Sequence, residues 1–243
     1  MSKEVRRGYV PTDAKEFSDK NLELIKRAQS DVFMLLERGY PIKSASTFVG
    51  NHYLLSERQR LAIVRSTSQS ENIIKRNNKL LKSDFEGKIV YIDGLNLIIT
   101  LEVALSESTV LKCMDGTIRD LAGLRGTYKL IDKTDIAIEF IGEKLAEMEI
   151  SEVNFYLDSP VSNTGKLKQR ILELLAKYSY EVKVELVNNA DVILETKSCV
   201  ITSDAIILNK CKSWINFAYD VVLEKLPNFK YIDLKMNKAH ENK

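Results

Sequence analysis

Residues 90–98 read VYIDGLNLI. Val90 and Ile92 alternate as one face of a strand does, and the apolar run stops at a carboxylate, Asp93. Gly94 and Asn96 follow, and apolar character resumes at Leu95, Leu97, Ile98 and Ile99. A carboxylate at the end of a buried strand is costly unless a partner neutralises or bonds it. The reason for placing Asp93 there decides how the rest of the chain is read.

Around this stretch, strand and helix patterns alternate. KIVYID, VNFYLD, VKVELV and CVITSD read as strands, and TDIAIEFIGEKLAEM (opened by Thr134), TGKLKQRILELLAKY and NFAYDVVLEKL read as helices. DVILE is a short helix or strand, and YIDL closes the set. Such alternation predicts an α/β domain with a mostly parallel sheet. Sheets of that kind bind ligands outside the carboxyl ends of their strands.

Asp93 is one of a set. Asp158 ends VNFYLD, Asp204 follows CVITS, and Asp191 lies in VNNADVIL, where a strand gives way to the next element. A single strand-end aspartate is ordinary, since Asp is a favoured helix N-cap. Four on one edge would repel one another unless a cation neutralised them. The expectation is a Mg²⁺ or Mn²⁺ site of oxygen ligands, which suits phosphodiester chemistry. Asp93, Asp158 and Asp204 are the expected metal ligands, directly or through water. Asp191 completes the catalytic set, and Asn96 orients Asp93 or the substrate.

Residues 1–86 read differently. In KNLELIKRAQSDVFMLLERGYP, apolar residues recur at helical spacing and Gly39 and Pro41 supply stop signals. SASTFV predicts a short helix ending at Gly50, and Ser56 and Gln59 have capping-box spacing. The expected organisation is a basic all-α domain over 1–86 and an α/β domain over 87–243, joined through KSDFEGK. The first part carries 16 Lys/Arg against 11 Asp/Glu and the second 20 against 23, so the net charge of +2 hides an asymmetry. Arg58, Arg65 and Arg76 fall at spacings that allow one basic helical face for RNA, with His52 and Tyr53 nearby to stack on bases. Solvated surface and packed aromatics are the plainer alternative. With 44% hydrophobic and 29% charged residues and no long apolar run, a soluble protein without a membrane span is expected. Three widely spaced cysteines, Cys113, Cys199 and Cys211, point to reduced thiols and a cytoplasmic setting.

VYIDGLNLI, FYLDSP, NNADVIL and VITSDAII resemble, in order and context, the acidic motifs of PIN-like nucleases, especially the NYN branch. The resemblance spans roughly 87–225. It implies a PIN-like three-layer α/β/α fold and a metal-dependent endoribonuclease that cleaves RNA with an activated water. More closely, the whole chain resembles an uncharacterised prokaryotic family, domain of unknown function 434 followed by a PIN-like domain. RGYPIKSASTFVGNHYLLSERQRLAIVRS carries the first module; DGLNLIITLEVAL, MDGTIRDLAG and LDSPVSNTGKLKQRI carry the second. The rival readings are a non-catalytic RNA- or ribosome-binding adaptor and an interaction scaffold. A homodimer is one open oligomeric state.

An insertion, SESTVLKCMDGTIRDLAGLRGTYKLIDK, departs from the compact nuclease pattern and reads as an ordered loop or short hairpin near the Asp93 edge. Two readings stand level: Asp115 or Asp120 adds a ligand while Arg119 and Arg125 bind phosphate, or the loop is internally salt-bridged. Glu102 faces the same site or the helix surface. SPVSNTGKL is not a phosphate loop, because Pro160 stands where glycine is required and Leu167 follows the lysine. Ser159, Ser162 and Lys166 at that helix start can still meet a substrate phosphate. Trp214 reads as core.

Overall fold

The computed structural model describes residues 5–123 and 126–235. Five helices come first: α1 (Asp13–Glu16), α2 (Asp19–Glu37), α3 (Ile42–His52), α4 (Glu57–Ser66) and α5 (Ser70–Lys79). Ile25, Ala28, Val32 and Leu36 give α2 its buried stripe, and Gly39 at φ +84° ends the segment. The Ser56–Gln59 capping box opens α4 as its spacing predicts. Gly50 does not end α3, which continues to His52. A Cβ at that glycine would lie 2.8 Å from Nε of Arg60, so its role is close approach rather than termination.

The main sheet has six parallel strands: β1 (Leu80–Leu81), β2 (Ile89–Asp93), β5 (Glu152–Asp158), β6 (Glu181–Val187), β7 (Val200–Ile201) and β8 (Trp214–Ile215). Their order is β1-β8-β7-β2-β5-β6. Strand alternation divides the core. Val90, Ile92, Val153, Phe155 and Leu157 face one side, against α6 (Gly94–Leu105), α7 (Asp132–Glu147), α8 (Thr164–Leu175) and α11 (Phe217–Lys225). Tyr91 and Tyr156 face the other, with α9 (Ala190–Leu194) and α10 (Ala205–Lys210). Helices on both sides of a parallel sheet make three α/β/α layers. Gly94 begins α6 tight against β5, where an added Cβ would meet Leu157 Cδ2 at 2.5 Å.

The insertion forms a hairpin, β3 (Val110–Lys112) and β4 (Ile118–Asp120). YIDL does not join the main sheet. It supplies β9 (Ile232–Asp233), parallel to β3 in a separate three-stranded sheet. The cause is packing: Leu234, Leu111, Cys113 and Leu121 complete the core of the first four helices. That core therefore crosses position 86, as does the main sheet, whose first strand is Leu80–Leu81. Packing does not part the chain at the predicted domain boundary.

One ion-pair cluster fastens the hairpin in place. Asp115, at its turn and buried, accepts Arg76 Nη1 and Arg119 Nη2 at 2.5 Å each, and Thr117 supplies N–H and hydroxyl donors to the other oxygen. Burial would raise this carboxyl, but Arg119, Thr117 and Arg76 together hold it at about 2. Removing one member leaves buried charge uncompensated. Asp115→Ala is expected to lower unfolding free energy by about 3–5 kcal/mol in a urea titration; a loss below ~1 kcal/mol would show that the cluster adds little.

Candidate functional site

Sheet order answers the question raised by Asp93. From β2 the chain adds β5 and β6 on one side, then returns to add β7 and β8 on the other. Where the direction reverses, between β2 and β7, a crevice opens at the carboxyl ends of the strands. Asp93 and Asp158 end β2 and β5, Asp204 follows β7, and Asp191 lies in the first turn of α9 after β6. These four strands are adjacent, and α9 packs back over β2 and β5. The four aspartates thus share one edge.

Hydrogen bonds tie that edge together. Asp93 is buried; its Oδ2 accepts the Thr202 hydroxyl at 2.9 Å and its Oδ1 the Asn96 N–H at 3.4 Å. Thr202 Oγ1 in turn accepts the Asp204 N–H. Asn96 Oδ1 takes both the N–H and the hydroxyl of Ser203 at 2.9 Å. Asp204 Oδ1 caps α10 through the N–H groups of Ile206 and Ile207, and Asp158 Oδ1 accepts the Ala190 N–H. Strand β7 is shorter than CVITSD predicts because Thr202 and Ser203 turn out of the ladder to make these bonds. Neither was foreseen as a site residue; hydroxyls directly before Asp204 were the signal.

The carboxylates also act on one another. Burial, reinforced by Asp204 and Asp191, pushes Asp93 up to about 7 despite the Thr202 bond. Asp191 is raised by burial, then by Asp204 and Asp158. Repulsion of this kind requires proximity. Among the described residues, no three His, Cys, Asp or Glu side chains stand close enough to grip one ion between them.

The other predicted residues divide. Arg58 is not part of a basic outer face: it pairs with Asp13 and donates to the carbonyls of Leu121 and Gly8. Arg76 is 2% exposed and bonded to Asp115, Asn209, Ser68 and Ala205. Lys79 donates to the carbonyls of Leu208, Asn209 and Cys211. Arg119 is likewise committed, to Asp115 and the carbonyls of Ser203 and Arg65. Within the insertion Asp115 and Arg119 pair with each other, the contact that the salt-bridged reading describes. Arg125 lies outside the described residues. Asp120 accepts Thr100, Arg65 and the Ala122 N–H. Glu102 belongs neither to the site nor to the surface; fully buried, it binds Arg7, Tyr128 and Thr134. Ser159, Ser162 and Lys166 are exposed in and after the loop that leaves Asp158, with Ser159 Oγ donating to Asn188. His52 and Tyr53 pack edge to face, and the Tyr53 hydroxyl donates to Asp31. Trp214 is core, and all three cysteines are unpaired.

Arg65 differs from Arg58, Arg76 and Arg119. It is 35% exposed and, through Nη1 alone, bonds Asp120. It borders a cavity of about 260 Å³ whose walls include Thr67, Ser68, Asn96, Ser203 and Asp204.

Fold and site together define a parallel α/β/α protein with an acidic switch-point edge, to which a helical segment is docked. Residues 82–220 match the family model "Domain of unknown function (DUF5616)" and residues 24–79 match "Protein of unknown function (DUF434)". The chain is 36% identical over 207 residues to the uncharacterized protein MJ0935 of Methanocaldococcus jannaschii, covering 85% of this chain and 98% of that one. It belongs to this family. No solved structure matches it. Among the described residues, no helix is long and apolar enough to cross a membrane.

The raised Asp93 carboxyl has a measurable consequence. Its native pKa of about 7 exceeds the ordinary 3.8, so the folded state holds this proton more tightly than the unfolded one. The group is neutral below pH 4, and its contribution to stability is lost as pH rises through 7. In chelator, Asp93→Asn should exceed wild type by about 2 kcal/mol at pH 8, with the gap closing by pH 4. Thermal melts at both pH values check this; an Asn variant less stable at pH 8 would make Asp93 an ordinary helix cap.

Proposed function

We propose that the protein is a divalent-metal-dependent phosphodiesterase acting on RNA, with a PIN-like (NYN-type) catalytic domain. The observation that carries this reading is the alignment of Asp204, Asp93, Asp158 and Asp191 along four adjacent strand ends at the topological switch point. A protein that merely bound a polyanion would gain nothing from gathered negative charge. RNA as substrate rests on the likeness of the four acidic motifs to those of PIN-like nucleases.

The donor set suits Mg²⁺ or Mn²⁺. All its donors are hard oxygens, and Asp93 is a carboxyl pushed toward neutrality by burial and, to a lesser degree, by Asp204 and Asp191. Asp204 Oδ2 accepts no hydrogen bond from the described residues, since the cap uses Oδ1. Mg²⁺ commonly keeps several waters and one or two protein carboxylates, an arrangement that does not need three clustered side chains. Asp93 and Asp204 would hold the ion, with Asp158 and Asp191 reached through water. When bound, it supplies a water of lowered pKa and neutralises charge on the leaving oxygen.

The protein's own groups do the positioning. Thr202 fixes Asp93 Oδ2, and the Ser203 donors fix the Asn96 amide beside it. Asp204 Oδ2 is open to orient a water or receive its proton. The purified protein should cleave RNA only with Mg²⁺ or Mn²⁺. Asp93→Asn and Asp204→Asn should each slow cleavage by roughly 100-fold or more while leaving RNA affinity largely intact. Full activity in both variants would refute the assignment. RNA binding without cleavage under any divalent cation would instead support the adaptor reading.

A further inference from the structure

The cavity beside Asp204 is built by both parts of the chain. Val64, Arg65, Thr67 and Ser68 close it from the helical side, at the end of α4 and just beyond it. Asn96, Ser203 and Asp204 close it from the sheet edge. Arg119 locks the two walls together, donating to the carbonyls of Arg65 and Ser203 at 2.6 Å. The roof is therefore bonded to the site, not merely laid across it.

Its unused hydrogen-bonding groups have a pattern. Among the described residues Arg65 bonds through Nη1 only, and Nε and Nη2 have no acceptor. The Ser203 donors identify Oδ1 of Asn96, and among the described residues both Nδ2 hydrogens are left without an acceptor. Asp204 Oδ2 has no donor among them. Guanidinium and amide donors thus border one cavity with a carboxylate oxygen on the metal-candidate side. A guanidinium fork matches two phosphate oxygens. Volume sets the size of the guest. About 260 Å³ is below the ~300–1,000 Å³ of sites for drug-sized ligands, a size on the scale of one nucleotide.

We propose that this cavity seats a single unpaired nucleotide by its phosphate, with Arg65 Nε and Nη2 and Asn96 Nδ2 donating to the non-bridging oxygens. The proposal rests on the phosphodiesterase reading and adds its substrate class: a single strand entering between the helical segment and the carboxyl edge of the sheet. It gives the helical segment a part in recognition through Arg65, whereas burial withdraws Arg76 and pairing withdraws Arg58 from an outer basic face.

Titration calorimetry in chelator at low ionic strength tests it without any turnover. The probes are inorganic phosphate, a nucleoside 5′-monophosphate, a short single-stranded oligoribonucleotide and its blunt duplex, applied to wild type and to Asp204→Asn. The monophosphate should bind about tenfold tighter than inorganic phosphate, and the single strand about tenfold tighter than the duplex. Asp204→Asn should tighten all phosphate ligands by removing a like charge. Arg65→Gln should weaken them about tenfold, the scale of one lost charge-assisted bond. Ala205→Leu fills the cavity without removing a side-chain hydrogen bond and should weaken the monophosphate to a similar extent. Unchanged affinity in either Arg65→Gln or Ala205→Leu overturns the seat. So does equal binding of inorganic phosphate and monophosphate, equal binding of duplex and single strand, or no binding by wild type or Asp204→Asn. Expected affinities with no metal-supported cleavage would sink the phosphodiesterase reading and keep the seat. Cleavage lost in Asp93→Asn, with Arg65→Gln binding as wild type, would do the reverse.

Discussion

Asp115 is a single buried carboxylate that takes two guanidinium groups, and much of the molecule hangs on it. Arg76 comes from the last of the N-terminal helices and Arg119 from the inserted hairpin. Both are buried, so neither tolerates loss of its counter-charge. Through Arg119 the cluster also holds the Ser203 carbonyl, and Ser203 in turn holds Asn96. A structural ion pair therefore sets the position of the loop that carries Asp204. The helical segment, the hairpin and the acidic edge are coupled by charge that water cannot screen.

The acidic edge shows how one side chain serves two ends. Asp204 caps α10 and Asp93 stands at the N-cap of α6, so the helices after β7 and β2 begin on carboxylates. Each cap uses Oδ1 of its aspartate; Oδ2 of Asp93 is held by Thr202, while Oδ2 of Asp204 faces no donor among the described residues. Capping explains why an aspartate is tolerated at each strand end singly. It does not explain why burial and mutual repulsion should be sustained at Asp93, where a neutral asparagine would cap as well.

Charge was the least legible property of the sequence. Arg58, Arg65 and Arg76 read as one basic face, because spacing shows which residues share a helix face but not what lies against that face. The partners of Arg58, Arg76 and Lys79 are distant in sequence: Asp13, Asp115 and the carbonyls at the end of α10. Glu102 was misplaced for the same reason, since Arg7 and Tyr128 reach it from opposite sides in the chain. By contrast, the capping box at Ser56 and the burial of Trp214 were readable, one from local spacing and the other from apolar context.

What the sequence by itself determined was the kind of each major element and the strand-end position of each aspartate. Alternation at period two marks β2, β5 and β6, and helical spacing marks α2, α7 and α8, because these signals are local. Strand order was decided only in three dimensions. Nothing local to VYIDGLNLI says that β7 lies on one side of it and β5 on the other, yet that order brings the four aspartates to adjacent strands. The tertiary structure also moved YIDL out of the main sheet and closed the core of the helices with residues more than a hundred positions away. Those outcomes follow from which apolar faces remain uncovered once neighbouring elements have packed, a property of the assembled chain and of no single segment.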